Sequence, residues 1–98
     1  MKVIEIFDAQ YYRDGGSYAF MFESDDGEEY EFISNVVKMS DDRIMYKPPV
    51  IFWQDCNSGK VVKEFTWKEA KLFLEPLTYE NEVFLRLKQL VNRYADNE

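Results

Sequence analysis

Ninety-eight residues, 46% hydrophobic and 17% aromatic, suffice for one domain around one core and do not have the composition of a disordered chain. A single cysteine, Cys56, excludes an intramolecular disulfide, and the lack of histidine removes most zinc sites, the Ser–His and Cys–His nucleophile pairs and the usual general base. The net charge of −7 lies wholly in residues 1–59, which hold five Lys/Arg against twelve Asp/Glu, whereas residues 60–98 hold seven of each; this argues against nonspecific binding to nucleic acid or anionic membrane and favours a basic partner.

In chain order, Lys2 to Phe7 carries Val3, Ile4, Ile6 and Phe7 and reads as a strand apolar on both faces, hence an interior one. Glu5 interrupts that run before a signal peptide can form, and no segment approaches the roughly twenty apolar residues of a membrane span. With one cysteine, a reducing, cytoplasmic setting is the expectation. Asp8 to Gly16 reads as a connection ending in the turn chemistry of Asp14-Gly15-Gly16. It carries Tyr11, Tyr12 and Arg13, residue types enriched at binding hot spots.

Residues 17–23 and 28–34 alternate as a hairpin, with Tyr18, Phe20 and Phe22 facing Tyr30 and Phe32. A two-residue Asp26-Gly27 turn would set Phe22 against Glu31 and mix the faces. A three-residue loop, Asp25-Asp26-Gly27, sets Phe22 opposite Tyr30 and Phe20 opposite Phe32, with Gly27 in the left-handed position. Burial of the aromatic face selects the second register, because a slip of one residue turns every side chain over. The same register forces Glu23 opposite Glu29, with Glu31 on the same face and Asp25, Asp26 and Glu28 crowding the tip. Like charges across a strand pair are destabilising, and such departures from local rules collect at functional places.

Val36 to Met45 has no decisive period; Ser40-Asp41-Asp42 reads as a turn and Ile44-Met45-Tyr46 as a short strand. Pro48-Pro49 belongs at a strand start or an edge. Val50 to Trp53 is a buried strand, Asp55 to Gly59 a turn cluster, and Lys60 to Phe65 the returning strand. Thr66 and Glu69 form a capping box for a short helix whose inner face is Trp67, Ala70, Phe73, Leu74 and Leu77, stopped by Pro76. A longer helix is expected from a Thr78 cap to Tyr94, with Val83, Phe84, Leu87, Leu90, Val91 and Tyr94 on one stripe. Leu72 and Leu85 project from the outer sides of the two helices and are candidates for self-association.

Strands followed by helices predict an α+β domain over 1–98: a meander-like antiparallel sheet of about five strands over 1–65, with the helices of 66–95 packed on one face. The other face is then free to meet water, and the acidic side of the 17–34 hairpin belongs there. No cofactor is implied, and no phosphate-binding glycine pattern is present. The acidic tip lacks the Asp-x-Asp-x-Asp-Gly order and final Glu of a calcium loop, so no metal site is assigned. No catalytic residue is assigned either. The expected activity is non-enzymatic masking of a basic protein surface, such as that of a nuclease, by Glu23, Asp25, Asp26, Glu28, Glu29 and Glu31 with Tyr11, Tyr12 and Arg13 as anchors. Neither nucleic acid nor membrane is expected as a direct partner. In size and charge alone the chain parallels immunity proteins, antitoxins and anti-CRISPR proteins. Alternatives are a homodimeric assembly module and a small carboxylate-based metal-binding protein.

Overall fold

The computed structural model describes residues 1–13, 16–53 and 59–97. Among the described residues seven strands precede two helices: β1 (Val3–Tyr12), β2 (Ser17–Ser24), β3 (Glu29–Ser34), β4 (Val36–Lys38), β5 (Ile44–Tyr46), β6 (Val50–Trp53), β7 (Val61–Glu64), α1 (Trp67–Leu74) and α2 (Glu82–Asp96). Five strands form an antiparallel sheet in the order β1-β2-β3-β6-β7, and β4 with β5 forms a separate hairpin between β3 and β6. The meander and its helical cover are those expected from the sequence, and the segment of 36–46 that lacked a clear period is this inserted hairpin. Its turn falls at Ser40–Asp42, where Asp42 takes a left-handed φ of 66°.

The β2–β3 register is the one that aromatic burial selects: Phe20 pairs with Phe32, Phe22 with Tyr30 and Glu23 with Glu29. Gly27 has φ +81° at the loop, a value that costs glycine nothing and a residue with Cβ a good deal. Phe20, Phe22 and Phe32 are fully buried. Phe20 stacks on Phe32 with centroids 5.0 Å apart and meets Phe84 of α2 edge-on at 5.1 Å. Phe73 of α1 stacks on Phe32 at 5.7 Å, so both helices sit on the same aromatic plate.

β1 is not an interior strand. It forms one edge of the sheet, and its pairing with β2 shifts register between Val3 and Glu5 and again between Ile6 and Asp8. Each shift inserts one extra residue, Ile4 and then Phe7, and those two side chains are 58% and 40% exposed. A run that looks apolar on both faces is therefore an ordinary one-sided strand with two bulges. Nor is 8–16 wholly a connection: β1 continues to Tyr12 because Asp8 to Tyr12 keep pairing with Met21 to Ser17. The expected turn at Asp14-Gly15 and the cluster Asp55-Cys56-Asn57-Ser58 lie outside the described residues.

The capping box of α1 is reciprocal, with Glu69 N–H donating to Thr66 Oγ1 and Thr66 N–H to Glu69 Oε1, both at 3.1 Å. Trp67, Ala70 and Leu74 are buried beneath it. α2 begins later than expected. Its N-cap is Asn81, whose Oδ1 accepts from Val83 N–H at 2.9 Å and Phe84 N–H at 3.2 Å. One amide oxygen answering two free N–H groups ends the helix there, and Thr78 to Glu80 remain outside it. The stripe is otherwise as read, with Phe84, Leu87 and Val91 buried and Ala95 extending it.

Replacing Phe32 by Ala empties the centre of the plate and should cost about 3–5 kcal/mol. A urea melt checks this: the midpoint falls while the slope stays that of the parent protein. A loss below about 1 kcal/mol would show that the two helices do not depend on this ring.

Candidate functional site

The sheet has one face under the helices and one open. Directly paired residues share a face, so the open face can be read row by row from the register. One row runs Glu5, Glu23, Glu29 across β1, β2 and β3. The next runs Asp8, Met21, Glu31, Phe52 across β1, β2, β3 and β6. Five carboxylates thus occupy two adjoining rows. Glu5 and Asp8 were not among the expected site residues, because a strict two-residue period puts positions 5 and 8 on opposite faces. The bulge at Phe7 brings both to the same side.

None of the ion pairs among the described residues involves Glu5, Glu23, Glu29 or Glu31; the acids that pair are Asp41, Asp42, Glu69, Glu82 and Asp96. Glu31 accepts a hydrogen bond from the Tyr12 hydroxyl at 2.8 Å. Burial first, and then this bond and the nearby carboxylates of Glu31 and Asp8, push the Tyr12 phenol up to about 12. Tyr12 therefore belongs to the acidic face as a neutral donor.

The tip carboxylates behave differently, each accepting a hydrogen bond from this chain's own groups. Asp25 accepts from Ser24 Oγ at 3.1 Å and from the backbone N–H of Lys2 at 3.3 Å. Asp26 accepts from the Glu28 N–H at 2.9 Å and from the Tyr30 hydroxyl. Glu28 accepts from the indole N–H of Trp53 at 3.3 Å. These bonds pin the loop. They also send the three side chains in separate directions, and among the described residues no group of three or more carboxylates or thiols converges on a point where a metal ion could sit.

The expected aromatic anchors are split. Tyr11 pairs with Tyr18 and packs on its ring at 4.8 Å, on the helix side of the sheet, while Tyr12 faces the opposite way. Arg13 is exposed at the end of β1. The Tyr12 pairing position, Ser17, is six residues from Glu23, about 20 Å of strand, so Arg13 lies at the far end of the strand from the Glu5–Glu23–Glu29 row. Leu72 and Leu85 are exposed as expected, at 69% and 52%. The apolar groove beside Leu85, which continues over Leu77, Tyr79 and Phe84, does not include Leu72.

No helix is long and apolar enough to cross a membrane among the described residues. Comparison of the chain with protein-family models, with curated proteins and with solved structures finds no match.

The Asp26–Tyr30 bond makes the hairpin sensitive to pH at both ends. The bond to Asp26 is the main reason the Tyr30 phenol stands at about 12 instead of 10.0, and it holds the Asp26 carboxyl below its ordinary value. A phenol raised in the folded state contributes fully below pH 10 and loses that contribution as pH rises through about 12; a depressed carboxyl contributes above its ordinary range and loses it as pH falls through the folded value. Tyr30→Phe should therefore melt below the parent protein at neutral pH, and the gap should narrow between pH 10 and about 12. A gap that stays constant across that range would mean the bond does not govern the titration.

Proposed function

We propose that the protein is a non-enzymatic binding protein whose open sheet face covers a basic surface on another protein, in the manner of a small acidic inhibitor. The observation that carries this reading is the Glu5–Glu23–Glu29 row: three carboxylates in direct register on adjacent strands, with no ion-pair partner among the described residues. Each like-charge neighbour costs about 0.2–1 kcal/mol, and a cation brought by a partner would turn that cost into attraction. Beside the row lie Met21, Ile33 and Phe52, each half-buried on the same face. An apolar patch bordered by charge suits a contact in which carboxylates guide the encounter and desolvated side chains hold it. A nuclease or other nucleic-acid-binding protein presents the matching basic surface, and the immunity, antitoxin and anti-CRISPR types of inhibitor are the class this reading points to.

Glu23 stands at the middle of the row, so Glu23→Lys converts two repulsive neighbours into attractive ones. The variant should be more stable than the parent by roughly 0.4–2 kcal/mol, from two pairs, and yet lose its partner. The parent protein, immobilised, should capture that partner at low ionic strength and release it as salt rises. Stability measured by urea and capture measured side by side test this together. A variant that gains stability and captures as well as the parent overturns the proposal.

A further inference from the structure

On the helix side, away from the acidic rows, α2 and the end of the sheet enclose a cleft of about 480 Å³ lined by Tyr18, Tyr46, Tyr94, Leu90, Gln89 and the two arginines Arg86 and Arg93. The helix contributes its share by spacing. Arg86, Gln89, Leu90 and Arg93 stand at i, i+3, i+4 and i+7, one stripe of an α-helix, with the guanidinium-bearing residues about 10 Å apart along the axis. The facing wall comes from Tyr18 of β2 and Tyr46 of β5, so the inserted β4–β5 hairpin closes one side. Tyr46 and Tyr94 rings lie 6.1 Å apart at 50°, and Tyr94 is backed by Trp67 at 4.7 Å. Gly16 turns the chain beside this corner with φ +68°, a left-handed value that favours glycine.

Three properties set this cleft apart. Among the described residues its only charged lining groups are two arginines, in a chain of net charge −7. Its polar groups are mostly donors without partners: among the described residues the hydroxyls of Tyr18, Tyr46 and Tyr94 and the guanidinium of Arg93 make no hydrogen bond or ion pair, and Arg86 has only an exposed pair with Glu82 at 2.7 Å. Such a pair contributes a few tenths of a kcal/mol and is easily shared with a second anion. Its walls are aromatic, and its volume falls within the range of small-molecule sites. Burial and the neighbouring phenols raise the Tyr46 pKa, which keeps that hydroxyl a neutral donor.

We infer that this cleft binds a small planar aromatic ring carrying a phosphate or carboxylate, the anion held by Arg86 and Arg93 and the ring laid against Tyr46 and Tyr94. Guanidinium groups suit both anions because each offers a pair of oxygens to the planar fork. Aromatic faces accept a planar ring in offset or edge-on packing. This site is independent of the acidic face and does not require it to bind anything.

The test uses the full chain and amide chemical shifts in solution, with adenosine 5′-monophosphate and benzoate as the two anionic probes, and adenosine and inorganic phosphate as the two halves of the first. Saturable binding tighter than about 1 mM, with shifts centred on residues 86–94 and Tyr46, is expected for at least one anionic probe; which one binds separates a phosphate site from a carboxylate site. Adenosine and phosphate should each bind at least about tenfold more weakly than the probe they belong to. Arg93→Gln and Arg86→Gln replace exposed side chains, so their melting temperatures should match the parent while affinity falls at least about tenfold. The inference is overturned if neither anionic probe saturates below about 10 mM, if adenosine or phosphate alone binds equally well, or if both arginine variants bind as the parent does.

Discussion

The structure hangs on the face-to-face burial of Phe20 and Phe32. Once those rings are opposite one another, the two-residue period of a strand leaves no freedom in what lies behind them. Phe22 must meet Tyr30, the loop must hold three residues, and Glu23 must stand against Glu29. Both helices then dock on the same plate, α1 through Phe73 and α2 through Phe84. The charge collision on the open side is thus a direct product of the core. A sequence under no other demand could have relieved it with one lysine at position 23 or 29 without touching a buried atom.

That coupling explains which parts could be read without coordinates. The β2–β3 register, the capping box at Thr66, the inner face of α1 and the stripe of α2 are governed by short-range rules of period and capping, and Glu23, Glu29 and Glu31 inherit their placement from the register. The misplacements share a different cause. Position 4 and position 7 are extra residues relative to β2, and a bulge carries no signature in local composition, so the sequence of β1 looks two-sided and does not group Glu5 and Asp8 with the other acids. Adjacency in sequence groups Tyr11 with Tyr12, whereas a strand sends neighbours to opposite faces. At α2 the expected cap, Thr78, gives way to Asn81, whose side chain answers the free N–H groups.

The two faces divide the chemistry of the chain. Carboxylates without an ion-pair partner among the described residues collect on the open side, while the arginines of α2 collect beside tyrosines on the other. The tip acids Asp25, Asp26 and Glu28 belong to neither group, since their bonds to Ser24, Tyr30 and Trp53 hold the loop itself. A count of negative residues therefore overstates the surface open to a partner, and the row formed across three strands is its better measure.

The doubled bulge in β1 makes the first strand a vernier, spending three residues of its own for every two of its neighbour between Val3 and Asp8. Removing Phe7 would leave Ile6 opposite Phe22 and Glu5 opposite Glu23, so the strand would straighten without turning a side chain over. An insertion in the regular stretch from Asp8 to Tyr12 has no such slack, since a one-residue slip there exchanges the two faces. The N-terminal arm of this fold therefore holds its spare length at two places, and a residue lost there costs curvature and not register.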